Sequence, residues 1–216
     1  NAGDMRTARL LWERLTQDPR LRQNLYILGL VRFNLSRACQ QLDDQAAARR
    51  ERVLAMQAIE AAADGFETIG LRERAFDCYQ VLLTIGKEGA FENLAEGYLG
   101  CIRILTADHL KYYVLQYFED FAKLAVERSE LHTAATLLRE AAQFCRRNRL
   151  PYEAHYRQRA AQTQEQAATK LLDDGGMPEM AENAFSAAID GYNDLGLYSS
   201  VRGVYQRLAA LPLPEQ

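Results

Sequence analysis

Residues 58–82, AIEAAADGFETIGLRERAFDCYQVL, align without a gap to residues 184–208, AFSAAIDGYNDLGLYSSVRGVYQRL, with ten identities in 25 positions. Chance gives about two for alanine-rich chains of ordinary composition. A segment that recurs within one polypeptide marks a supersecondary unit copied along it, so the duplication restricts the chain to repeat architectures. The copies lie 126 residues apart, three steps of about 42.

The unit is helical. Apolar residues recur at three- and four-residue spacing almost throughout, broken by short Gly, Pro or Asp punctuation. Only five prolines occur, and Ala, Leu, Glu, Arg and Gln, which lose little rotamer freedom in a helix, are abundant. The pattern predicts about ten helices, over 4–17, 19–42, 45–69, 71–86, 88–105, 107–128, 130–148, 151–173, 177–195 and 197–210. Asp18 is the expected N-cap of the second, and Pro19, Pro151 and Pro178 suit first-turn positions that need no N–H. Gly70, Gly86 and Gly196 read as left-handed stops. Connections this short make neighbouring helices antiparallel. The expected fold is all-α, a right-handed α-solenoid of stacked helix hairpins: an irregular capping pair at 1–44, then pairs at 45–86, 88–128, 130–173 and 177–210, and a linker or tail at 211–216.

Residues shared by the two windows have separate tasks. Ala62 and Ala188 let helix axes approach, while Phe66 and Tyr192 fill the space against the second helix. Gly70 and Gly196 turn the chain. Ala75 with Tyr79, and Val201 with Tyr205, then set a small and a large side chain one turn apart on the returning helix.

This small–large–Gly–small–aromatic order resembles the tetratricopeptide-repeat superfamily. Leu25, Leu28, Gly29 and Phe33 resemble that family's first-helix signature; Ala8, Trp12, Leu15 and Pro19 its second; Ala181 and Phe185 keep the small–large spacing. The pitch departs from the family's usual repeat of about 34 residues, and the phrase AIDGYNDLG is similar to the longer-helix vesicle-fusion adaptors called SNAPs. The 19–42 helix matches a first-helix signature although strict alternation makes it a second helix. The resemblance implies a protein-binding solenoid.

Chemistry of other kinds finds little support. His109, His132 and His155 are isolated, with no HExxH and no Cys or His at ligand spacing, so neither metal nor cofactor is expected. GxSxG, GxxxxGK[ST] and GxGxxG motifs are absent. Asp173-Asp174-Gly175-Gly176 lacks the ligand spacing of a calcium loop and reads as a helix stop. Net charge of -3 excludes a global attraction to nucleic acid. No apolar run of about 18 residues argues for membrane insertion. Cys39, Cys78, Cys101 and Cys145 stand singly in apolar patterns and read as buried free thiols of a cytoplasmic protein. Cys145 beside Arg146 and Arg147 has the alternative of a depressed pKa. Asn1 in place of Met, with the ending Leu211-Pro212-Leu213-Pro214, points to a piece of a longer protein.

Two surfaces are candidates for partner binding. The first is RRNRLPYEAHYRQR, where Arg146, Arg147, Arg149, Arg157 and Arg159 gather around a hairpin turn with Tyr152 and Tyr156; an acidic segment suits it. Its alternative is a solvated helix end whose arginines complement the helix dipole. The second is KYYVLQYFEDF, in which Val114, Phe118 and Phe121 form a core stripe while Tyr113 and Tyr117 fall on an adjoining face, as groove lining or as edge packing. Arg49, Arg50 and Arg52 read as a wetted helix face. The expectation is a non-enzymatic adaptor or scaffold that binds a peptide, helix or small domain of another protein. The alternative is a ligand- or peptide-responsive arm of a signalling or transcription protein.

Overall fold

The computed structural model describes residues 2–89 and 91–209, and among them are eleven helices and no strand. They are α1 (Ala2–Thr16), α2 (Pro19–Arg22), α3 (Leu25–Gln41), α4 (Gln45–Thr68), α5 (Arg72–Gly86), α6 (Glu92–Ala107), α7 (Lys111–Glu127), α8 (Leu131–Asn148), α9 (Glu153–Asp173), α10 (Pro178–Asp194) and α11 (Tyr198–Leu208). The expected tail at 211–216 lies outside the described residues. The chain divides into two compact units, residues 1–109 and 110–216, so the boundary falls inside the pair expected at 88–128. In the first unit α1 packs on α3, and α3 to α6 each pack on the next; in the second, α7 to α11 do the same. Each unit is an all-α solenoid stack, held by contacts between sequence neighbours.

One device ends most of the helices. At the close of α4, the Gly70 N–H donates to the Glu67 carbonyl (3.0 Å) and the Leu71 N–H to the Phe66 carbonyl (2.8 Å), with Gly70 at φ +78°. This Schellman turn satisfies carbonyls that have no partner within the helix. The same pair of bonds recurs where Asp43, Ser129, Arg149, Gly175 and Gly196 adopt left-handed φ. Gly86 departs from its expected role and stays inside α5. A Cβ there would lie 2.9 Å from both the Asn93 carbonyl oxygen and Leu94 Cδ2, so this glycine admits the start of α6. The left-handed residues within the successive pairs, Gly70, His109, Arg149 and Gly196, are spaced 39, 40 and 47 residues apart; the step of 42 is only a mean.

Asp18 and Pro19 cap α2 as expected, with Asp18 Oδ1 accepting from the Arg20 N–H at 2.8 Å. The helix expected over 19–42 is nevertheless two helices. Asn24 leaves helical geometry (φ -110°, ψ 88°) and its side chain accepts from the Ile27 N–H at 3.2 Å, a local bond that competes with helix continuation. Pro178 opens α10, whereas Pro151 precedes α9 in a turn and Tyr152 takes the N-cap position. Arg52 is no wetted residue: its guanidinium donates to the Glu88 carbonyl (2.7 Å), the Glu88 carboxylate (3.1 Å) and Gln40 (3.2 Å), binding the α5–α6 turn to α3 and α4.

The matched small residues Ala62, Ala75, Ala188 and Val201 are all buried. Their large partners diverge: Tyr79 is 0 % exposed, and Tyr205 is 56 % exposed. All four cysteines are buried and free.

Candidate interaction surface

The candidate surface lies in the second unit and begins at the end of α8. Arg146 and Arg147 occupy its last turn, and Arg149 caps it at φ +56°. Cations there complement the negative end of the helix dipole. Arg147 Nη2 donates to Gln143 Oε1 (3.0 Å), and one turn before Gln143 the Arg139 guanidinium donates to the Thr136 hydroxyl (3.1 Å). Arg139, Gln143 and Arg147 thus form one stripe at i, i+4 and i+8. Among the described residues, Arg139, Arg146, Arg147 and Arg149 form no ion pair, while the neighbouring arginines do.

Beside this stripe a groove of about 210 Å³ runs between α8 and α10 over α9. Small residues line it: Ala142, Ala160, Ala161, Ala187 and Gly191. Their size is what lets the helices approach, since a Cβ on Gly191 would sit 3.0 Å from that of Ala161. Arg139, Gln143, Arg157, Gln164 and Asp194 supply the polar rim. Arg157 pairs with Glu153 (2.9 Å) and reaches Asp194 (3.8 Å). Of the unpaired arginines, Arg139 lines the groove from α8, and Arg146, Arg147 and Arg149 follow at the C-terminal end of that helix.

The residues singled out by the sequence do not form one site. Arg157 and Arg159 are two positions apart, about 200° around a helix, and face opposite ways. Arg157 lines the groove, whereas Arg159 pairs with Glu119 of α7 (2.8 Å) and lines a separate hollow that includes Lys123 and Thr163. Tyr156 leaves the candidate set because it is 5 % exposed and packs in the core, where burial, ahead of the Glu119 carboxylate, pushes its phenol up. Tyr152 is exposed at the α8–α9 turn. Tyr113 is 58 % exposed on α7 and Tyr117 half-buried, with Val114, Phe118 and Phe121 in the core as expected; neither tyrosine lines the α8–α10 groove. Arg139, Gln143 and Gln164 escape the sequence reading, although the four-residue spacing of Arg139, Gln143 and Arg147 is visible there.

Cys145 is not activated by its arginine neighbours. Burial, ahead of Glu153, pushes its thiol up. Asp173-Asp174-Gly175-Gly176 ends α9, with Gly175 at φ +70°. Among the described residues, no group of three or more His, Cys, Asp or Glu side chains is placed to hold a metal, and no helix is long and apolar enough to cross a membrane.

No family model matches the chain, and no curated protein matches it. Among solved structures the chain is similar to BtubC (BKLC) from P. vanneervenii, at 13 % identity over all of this chain and 94 % of that one, with a TM-score of 0.39. A likeness this loose carries no assignment.

Proposed function

We propose that this chain is a protein–protein interaction module of the tetratricopeptide kind, an adaptor or scaffold rather than an enzyme, whose second unit takes up an acidic, extended segment of another protein in the α8–α10 groove. The observation that carries the reading is unpaired Arg139 on the α8 edge of a groove lined by alanine and glycine, with unpaired Arg146, Arg147 and Arg149 at the C-terminal end of the same helix. Carboxylates on the segment pair with the arginine edge. Gln143 and Gln164, each able to donate and accept, suit the segment's main chain. The shallow lining favours small side chains between the acidic ones. Four buried thiols support a reducing compartment such as the cytoplasm.

The test is fluorescence anisotropy of a labelled peptide of alternating alanine and glutamate, titrated with the full chain. Binding is expected, weakening with added salt, and it should be lost in the triple variant Arg146→Glu, Arg147→Glu, Arg149→Glu while helicity is kept. An alternating alanine–lysine peptide should not bind. Equal binding of both peptides, or indifference to charge reversal, would sink the reading.

A further inference from the structure

The face of α8 that carries Arg139 into the groove does not stop there. His132 precedes Arg139 on α8 and is exposed. Two turns of helix separate them, so His132 stands about 20° from Arg139 around the axis and about 10 Å along it. Thr136, which accepts from the Arg139 guanidinium at 3.1 Å, lies between them along the helix. Gln164 of α9 lines the groove, and its Nε2 is 3.5 Å from His132 Nδ1. An amide nitrogen donates and does not accept, so this contact sets Nδ1 as the acceptor and the ring proton on Nε2, a donor left for a groove occupant. When the ring takes a second proton, a half-turn of the amide presents its oxygen instead.

No carboxylate of the protein is committed to His132. On the α10 side, the stripe of Gly191 and Ala187 runs back through Asn183 and Met180, both uncharged. The charged groups around this end are Glu130, Arg139 and Glu140 on α8, Lys123, Glu127 and Arg128 at the close of α7, and Glu165 and Lys170 on α9. Glu127 pairs with Lys123 (3.9 Å) and Glu165 with Arg207 (2.9 Å), and among the described residues none forms an ion pair with His132. An imidazole changes charge between about pH 5 and 8. Guanidinium groups stay cationic throughout, and peptide glutamates stay ionised above about pH 5.

We propose that His132 is a recognition residue of the α8–α10 groove, meeting a carboxylate of the bound segment beyond the one at Arg139 and tightening its uptake as pH falls. The proposal rests on the reading of the groove as the site of an acidic segment. The probe is the labelled alternating alanine–glutamate peptide, titrated with the full chain at about pH 7.5 and about pH 5.5 at constant ionic strength. The parent chain should bind about two- to fivefold tighter at the lower pH. His132→Gln should still bind at the higher pH but lose that gain. His155→Gln should keep it, because His155 lies two positions before Arg157 on α9 and turns away from the groove. NMR titration of the three histidine rings gives a second readout: saturating peptide should move the titration of the His132 ring to higher pH and leave His109 and His155 in place. A pH gain that survives His132→Gln, or a His132 ring indifferent to the peptide, overturns this proposal and leaves the groove reading standing. Absence of binding at both pH values overturns the two together.

Discussion

The Tyr79 hydroxyl on α5 donates to the Glu67 carboxylate on α4 across 2.7 Å, and Arg103 on α6 donates to the same carboxylate at 2.8 Å. One carboxylate thereby joins three successive helices. The second unit builds the same cluster from Glu165 on α9, Tyr192 on α10 (2.7 Å) and Arg207 on α11 (2.9 Å). The tyrosines are not equivalent in the duplication, since Tyr192 aligns with Phe66 and Tyr79 with Tyr205. A stack stabilised mainly by nearest-neighbour contacts gains, through such a group, a constraint on the next helix but one.

Removing the Tyr79 hydroxyl tests that constraint. Tyr79→Phe keeps the buried ring and deletes a charge-assisted hydrogen bond, so stability in urea titration should fall by about 1–2 kcal/mol. Tyr205→Phe, at the matching exposed position, should change it by less than about 0.5 kcal/mol. Equal effects would deny the cluster its role.

Two carboxylates in the first unit should respond oppositely to acid. The Arg103 hydrogen bond, outweighing burial and aided by Tyr79, holds Glu67 below its ordinary pKa. Its contribution is present above the unfolded-state pKa and is lost as pH falls through the depressed folded-state value. Burial, then Glu96 and Asp64, push Glu60 up, so its ionised form is disfavoured at neutral pH and relieved on acidification. Glu60→Gln should therefore stabilise the protein at neutral pH, by about 0.5 kcal/mol, with the gain vanishing in acid. Glu67→Gln should destabilise at neutral pH and converge on the parent protein in acid. Urea midpoints across the acid range decide both signs.

Glycine substitutions separate close approach from open space. Gly100→Ala drives a Cβ into the Tyr79 ring and should cost about 1–3 kcal/mol. Gly65→Ala meets nothing within 4 Å on α4 and should stabilise by about 0.5–1 kcal/mol. Thermal melts of opposite sign are the expected outcome.

Burial should also silence the thiols. It pushes Cys78 up to about 11 and raises Cys39 and Cys145 as well. Iodoacetamide at neutral pH should leave all four cysteines of the folded chain unmodified and alkylate them in urea, as read by mass spectrometry. Rapid native labelling of Cys145 would restore the idea that Arg146 and Arg147 activate it.

The helices are legible because apolar spacing and caps such as Asp18 act within a few residues of themselves. The same locality explains the misreadings. Apolar spacing continues across 19–42, but Asn24 turns its side chain onto the next backbone turn and splits the helix. Gly86 has the composition of a stop, yet it is small to admit Asn93 and Leu94. At the surface, the run from Arg146 to Arg159 reads as one basic cluster along the chain, whereas α9 sends Arg157 to one side and Arg159 to the other.

The sequence by itself determined the all-α class, most of the helix order, the duplicated window and the inward stripe of Val114, Phe118 and Phe121, since each follows from spacing along one helix. Tertiary structure alone decided the division at residues 109 and 110, which arginines find carboxylates, and why Tyr79 is buried while Tyr205 is not. Burial and ion pairing depend on the helix that lies opposite, and two windows copied from one repeat can face different neighbours.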